Sequence, residues 1–162
     1  MNNVRSAEAR ANASKLSGFS LIELLIVVAI IGIVAAIAVP NLIASRRAAN
    51  EASAIQSIRT ITSTQSTYYY TGVYSYGTLD ALRTASLLDP SLANATTASN
   101  AKSGYIFGIN NPSATGYVLG AAPVSTSSGS RNFTSDTTGV IYSSAATPGT
   151  VPTSTSGSPI GN

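Results

Sequence analysis

"GFSLIELLIVVAIIGIVAAIAVP", residues 18–40, decides how this chain is read. Phe19 to Val39 is a run of 21 residues in which Ser20 and Glu23 are the strongly polar members and Gly32 is an interruption. A helix rises about 1.5 Å per residue, so the run covers about 31 Å, against about 30 Å for the hydrocarbon core of a bilayer. In lipid a lone segment satisfies its own backbone only as a helix. Glu23 is the anomaly. Nothing near it in sequence neutralises it, and a carboxylate in an apolar medium is costly unless paired and hydrogen-bonded.

Three readings fit the run on composition. It is an ordinary single-span anchor. It is a secretory signal, with residues 1–18 as the charged region and Ala36-Ile37-Ala38 as the cleavage site. Or a cut at Gly18–Phe19 removes a short basic leader and leaves the apolar helix on the mature chain. The signal reading is strained by the length of the run, beyond the usual 7–15 residues or so. It is strained again by the internal carboxylate and by Pro40 just past the cut. Charge does not orient the segment, because Arg46, Arg47 and Arg59 beyond it balance Arg5, Arg10 and Lys15 before it.

Composition excludes most chemistry. Charged residues are 9% of the chain, and there is no cysteine, histidine or tryptophan. General acid–base, nucleophilic and metal chemistry draws on His, Cys or clustered carboxylates. The acids are Glu8, Glu23, Glu51, Asp80, Asp89 and Asp136, and no two are close in sequence. No catalytic residue, cofactor or metal site is expected. The net charge of +3 sits mostly in the first 18 residues, where Arg5, Arg10 and Lys15 face only Glu8. No basic patch on the body suggests nucleic acid.

Helical patterning continues past Pro40. Ala44, Ala48, Ala52, Ile55, Ile58 and Ile61 step by 4, 4, 3, 3 and 3 along one helix face. Arg47 and Glu51 are spaced i, i+4, as a weak surface pair would be. A helix from Phe19 to about Tyr69 is roughly 75 Å long. Its first half is apolar all round and needs lipid or other helices on every side. Its second half needs one partner surface. Gly32 and Pro40 are the expected places for a kink or local melting.

Gly72 and Gly77 end the helix in a tyrosine-rich stretch, and the tyrosine rings are read as cover for the core and for a subunit interface. Thr78 is placed to cap a short helix over 79–88, closed by Asp89-Pro90. Strands are predicted at 104–109, 116–123 and 131–143, the last with a turn or bulge near Asp136–Gly139. Their short spacing gives an antiparallel meander packed on Ile55, Ile58 and Ile61. The uncharged tail 144–162 is either loose or an extended cover over the sheet. Asn94-Ala-Thr96 and Asn132-Phe-Thr134 match the N-glycosylation pattern, a weak signal.

"KLSGFSLIELLIVVAIIGIVAAIAVP", residues 15–40, resembles the N-terminus of type IV pilins and of the pseudopilins of type II secretion. Gly before the cut, Phe after it, Glu four residues on, the apolar run and the Pro all match. "NLIASRRAANEASAIQSIRTI", residues 41–61, is pilin-like in a less specific way. The resemblance implies an α+β fold, a long N-terminal helix with a small antiparallel sheet packed on its second half. It divides the chain into a cleaved leader (1–18), a long helix (19–70), a loop region with a short helix (71–103), a sheet head (104–143) and a tail (144–162).

It also implies roles. Gly18 would end a leader removed by a membrane prepilin peptidase, and Phe19 would be the new N-terminus, N-methylated by the same enzyme. Glu23 would set the register of one subunit on the next. Leu24, Leu25, Ile26, Val27, Val28, Ile30, Ile31, Ile33, Val34 and Ile37 would sit in the membrane and then in the filament core. The implied partners are membrane lipid, further copies of the chain, and an inner-membrane assembly platform driven by a cytoplasmic ATPase. The precursor would lie in the inner membrane with its leader cytoplasmic and its head periplasmic, and the product would be a surface pilus. The alternative is a periplasmic pseudopilin filament for protein export. Physics supplies a reason for Glu23. Cleavage creates an ammonium at Phe19, and a neighbouring subunit's ammonium could neutralise the buried acid. The family's calcium loops and disulfides find little here: Asp136 is the one acid in the C-terminal region, and there is no cysteine.

Overall fold

The computed structural model describes residues 18–160. Apart from Gly18, the expected leader lies outside the described residues. The chain divides into two units, Met1–Pro40 and Asn41–Asn162.

In the first unit the backbone enters helix α1, Leu21–Tyr68, which continues into the second unit. The Leu24 amide donates to the Ser20 carbonyl at 3.2 Å, closing the first turn. The helix continues through Gly32 and Pro40, although Pro40 has no N–H to offer the Ala36 carbonyl. Side chains around the whole circumference are exposed, from Leu21 at 80% to Ile37 at 65%. Among the described residues this stretch has no partner surface in its own unit, and it is long and apolar enough to cross a bilayer.

In the second unit α1 buries one stripe. Glu51, Ala54, Ile58, Ile61 and Gln65 are buried and step by 3, 4, 3 and 4. The expected stripe is corrected here. Ile58 and Ile61 belong to it and Ile55 flanks it, but Ala44, Ala48 and Ala52 are exposed. The face is turned because two polar side chains, Glu51 and Gln65, occupy buried positions where the head supplies their hydrogen bonds. Gln65 donates to the Gly77 carbonyl at 2.6 Å and accepts from the Gly77 amide at 2.9 Å.

After Tyr68 a single π-helical turn, Tyr69–Val73, ends the helix. Gly72 at φ 100° and Tyr74 at φ 50° reverse the chain, and the Tyr74 amide returns to the Tyr69 carbonyl. Helix α2, Leu79–Thr84, starts on Thr78, whose hydroxyl accepts from the Ala81 amide. It stops before the expected residue 88, because Ser86 turns left-handed at φ 59°. Asp89 then caps a separate short helix α3, Pro90–Ala93, with its carboxylate accepting from the Ser91 and Leu92 amides. Proline at the first helical position suits it, since that N–H has no intrahelical partner anyway.

Five strands form an antiparallel sheet in the order β1-β2-β3-β4-β5: β1 Tyr105–Asn110, β2 Val118–Pro123, β3 Arg131–Asp136, β4 Ile141–Ala145 and β5 Ser158–Pro159. The third expected strand is in fact a hairpin. Asp136 accepts from the Thr138 amide at 2.9 Å and its hydroxyl at 2.6 Å, and Gly139 at φ 73° completes the turn between β3 and β4. Register aligns Phe107 with Ala121 and Ala121 with Phe133. These residues, with Leu119 and Ile141, form one core with Ala54, Ile58 and Ile61 of α1. The α+β architecture of a long helix and an antiparallel sheet is the one expected.

The tail is an extended cover. Gly108 and Gly120 pair across β1 and β2, and their missing side chains leave a notch. Val151 and Pro152 fill it: a Cβ on Gly120 would stand 2.4 Å from the Pro152 carbonyl oxygen. Asn110 donates to that same carbonyl at 3.1 Å. Asn132 is buried under the tail and bonds Thr147, which removes its glycosylation signal in the folded state. The chain then returns to pair β5 with β4.

Candidate functional site: the N-terminal segment and the Glu51 clasp

Gly18 and Phe19 precede the helix and are open. Phe19 is 75% exposed, and nothing lies within 4 Å of where a Gly18 Cβ would be. A protease or a transferase meets no obstruction there from the described residues. Glu23 lies in the first turn of α1. The unpaired amides of that turn carry the positive end of the helix dipole, which favours a carboxylate. Among the described residues Glu23 makes no ion pair. Gly32 is equally open, and the apolar residues from Leu24 to Ile37 are all exposed.

The second arrangement lies in the other unit and was not predicted. Glu51 is 6% exposed and saturated with donors. One carboxylate oxygen accepts from the Ser130 amide and hydroxyl, both at 2.8 Å. The other accepts the Arg131 guanidinium fork through Nε at 3.0 Å and Nη2 at 2.8 Å. The guanidinium carbon also stands 5.3 Å from the Phe133 ring centroid. Burial pushes the Glu51 pKa up, but the Ser130 bonds and the Arg131 bonds and charge outweigh it, so the net shift is downward. Around the clasp Asn50 donates to the Ser128 carbonyl and Ser53 to the Ser103 hydroxyl, both at 2.9 Å. A carboxylate held ionised by these donors is a weak proton acceptor. The clasp holds the head on α1.

The expected Arg47–Glu51 pair is therefore absent, because Glu51 faces Ser130 and Arg131 instead. No local signal marks this, since Arg131 is 80 residues away. The tyrosines divide by burial. Tyr69, Tyr76 and Tyr117 make tilted ring contacts in series, with centroids 5.0 and 4.8 Å apart, and Tyr117 joins the core. Tyr70 and Tyr74 stay exposed.

Residues 14–39 match the family profile described as the prokaryotic N-terminal methylation motif. The type IV wide pilus major component PilA4 of Thermus thermophilus is 65% identical over 34 residues, 21% of this chain and 26% of that protein. This N-terminus is similar to that of a type IV pilin. The likeness spans about a quarter of that relative's length, and the profile match covers Gly18, Phe19 and Glu23. The pilin-type segment and the α+β body that follows it agree with the fold expected from the resemblance.

Proposed function

We propose that this chain is the structural subunit of a type IV pilus-like helical filament. It would enter the inner membrane as a precursor, lose its leader after Gly18, be methylated on Phe19 and polymerise through its apolar helix. One observation carries the reading. A methylation-type N-terminus leads straight into a helix exposed on every side, with an acid in its first turn that makes no ion pair among the described residues.

Lipid can cover that helix while the subunit waits, and other copies can cover it in the polymer. Glu23 then finds its counter-charge in the Phe19 ammonium of a neighbour. A subunit added out of register would leave both charges buried and alone, which is strongly disfavoured. Gly32 and Pro40 are the weak points where the helix would unwind if packing requires it. The pilin family is structural and not a family of enzymes, and the matched relative is a wide pilus component, which favours a surface pilus over a pseudopilin. Shearing cells that express the chain tests this. Long filaments composed of the subunit are the expected result, and filaments confined to the periplasm would move the assignment to the pseudopilin.

A further inference from the structure

Arg46 and Arg47 stand three and four residues beyond Ile43, which with Leu42 is among the large exposed apolar side chains. With Glu51 committed to Ser130 and Arg131, the Arg47 Nε is buried without a partner. Neither arginine makes an ion pair among the described residues. Among the described residues, two adjacent guanidiniums are thus left without an ion-pair partner where the apolar part of α1 ends.

We propose that Arg46 and Arg47 bind the phosphates of anionic phospholipids while the subunit waits in the membrane. The proposal rests on the reading that the apolar segment sits in a bilayer. Arg46 follows Pro40 by six residues, about 9 Å of helix. The headgroup layer is about 5–8 Å thick on each side of the hydrocarbon. An arginine can snorkel back over that difference. Its planar fork matches phosphate oxygens in pairs, which a lone ammonium does not.

A carboxylate on a second copy is the competing partner, but the head acids are engaged. Glu51 is in the clasp, Asp80 holds Arg83, Asp89 caps α3 and Asp136 holds the β3–β4 turn. Glu23 is 23 residues before Arg46, about 35 Å of helix and across the apolar run, so lipid phosphate is the anion we assign to the pair.

The test uses the full chain reconstituted in phosphatidylcholine vesicles carrying a trace of spin-labelled phosphatidylglycerol or spin-labelled phosphatidylcholine. Wild type, R46Q/R47Q and R59Q are compared, each first checked for its folded tyrosine circular dichroism. All three should float with the vesicles, and failure of wild type to float overturns the membrane reading itself. Given flotation, wild type should immobilise phosphatidylglycerol roughly fivefold in preference to phosphatidylcholine. R46Q/R47Q should lose most of that preference, while R59Q keeps it. The leader cations are unchanged in all three, so the difference isolates the pair. An undiminished preference in R46Q/R47Q, or an equal loss in R59Q, overturns the proposal. So does a preference seen only at protein densities where copies cross-link, which would assign the pair to a second subunit.

Discussion

Glu51 of α1 grips Arg131 at the start of β3 through two hydrogen bonds, at 3.0 and 2.8 Å, across 80 residues of chain. The glutamate side chain is 8% exposed and the arginine 44%, so this pair is anchored at its acidic end and open to water at its basic end. It joins helix α1 to strand β3.

Removing the acid leaves the Ser130 amide and the guanidinium without their acceptor. Glu51→Ala should lower the stability of the full chain in detergent by about 1–3 kcal/mol, the usual cost of an unsatisfied buried group. Arg131→Ala should cost less, since the partly exposed guanidinium is already hydrated and Ser130 still satisfies one carboxylate oxygen. Near-ultraviolet circular dichroism of the tyrosines during thermal unfolding reads both. Equal losses for the two variants would contradict this view of the clasp.

Stability should show an acid limb and an alkaline limb. The Glu51 pKa is lowered by folding, so its contribution is present above the unfolded value near 4.5 and is lost as pH falls through the folded value. Burial pushes the Tyr105 phenol well above 10.0, so its contribution is lost as pH rises past 10.0, where only the unfolded chain ionises. Glu51→Gln should flatten the acid limb and Tyr105→Phe the alkaline one. Denaturant melts across pH check this, and an acid limb unchanged in Glu51→Gln would remove Glu51 from the account.

Gly120→Ala should loosen the tail without unfolding the sheet. Its new methyl would meet the Pro152 backbone oxygen at 2.4 Å, and backbone cannot move aside as a side-chain tip can. Overpacking of this kind costs about 1–3 kcal/mol. Limited proteolysis should cut within residues 147–157 several-fold faster than in wild type. Unchanged protection would mean that the tail is not seated in the glycine notch.

The apolar helix, the Thr78 cap, the Asp89-Pro90 break and the β1 and β2 strands were legible because each depends on residues a few positions apart. The buried face of α1 was not. Hydrophobicity favours Ala48 and Ala52, whereas the fold buries Glu51 and Gln65, whose partners are remote. The β3–β4 hairpin was read as one strand because Asp136–Gly139 is as compatible with a bulge as with a turn. The Gly108–Gly120 notch is visible only once register sets the two glycines side by side. At the N-terminal site the residue types pointed to assembly, and the fold of one chain does not test that role for Glu23.

Exchanging Glu23 for Ala should leave the proposed leader cut largely intact, since that acid is the fifth residue after it, while filaments fail to form. Shear yield and immunoblotting of the membrane fraction separate the two effects. Normal filaments from this variant would refute the register role.

The most direct test is the mass of the N-terminal peptide of the subunit in sheared filaments. The account predicts a peptide beginning F-S-L-I-E at Phe19 and carrying one added methyl group, with its charge available to a neighbour's Glu23. A subunit beginning at Val39, or one retaining residues 1–18, would contradict it.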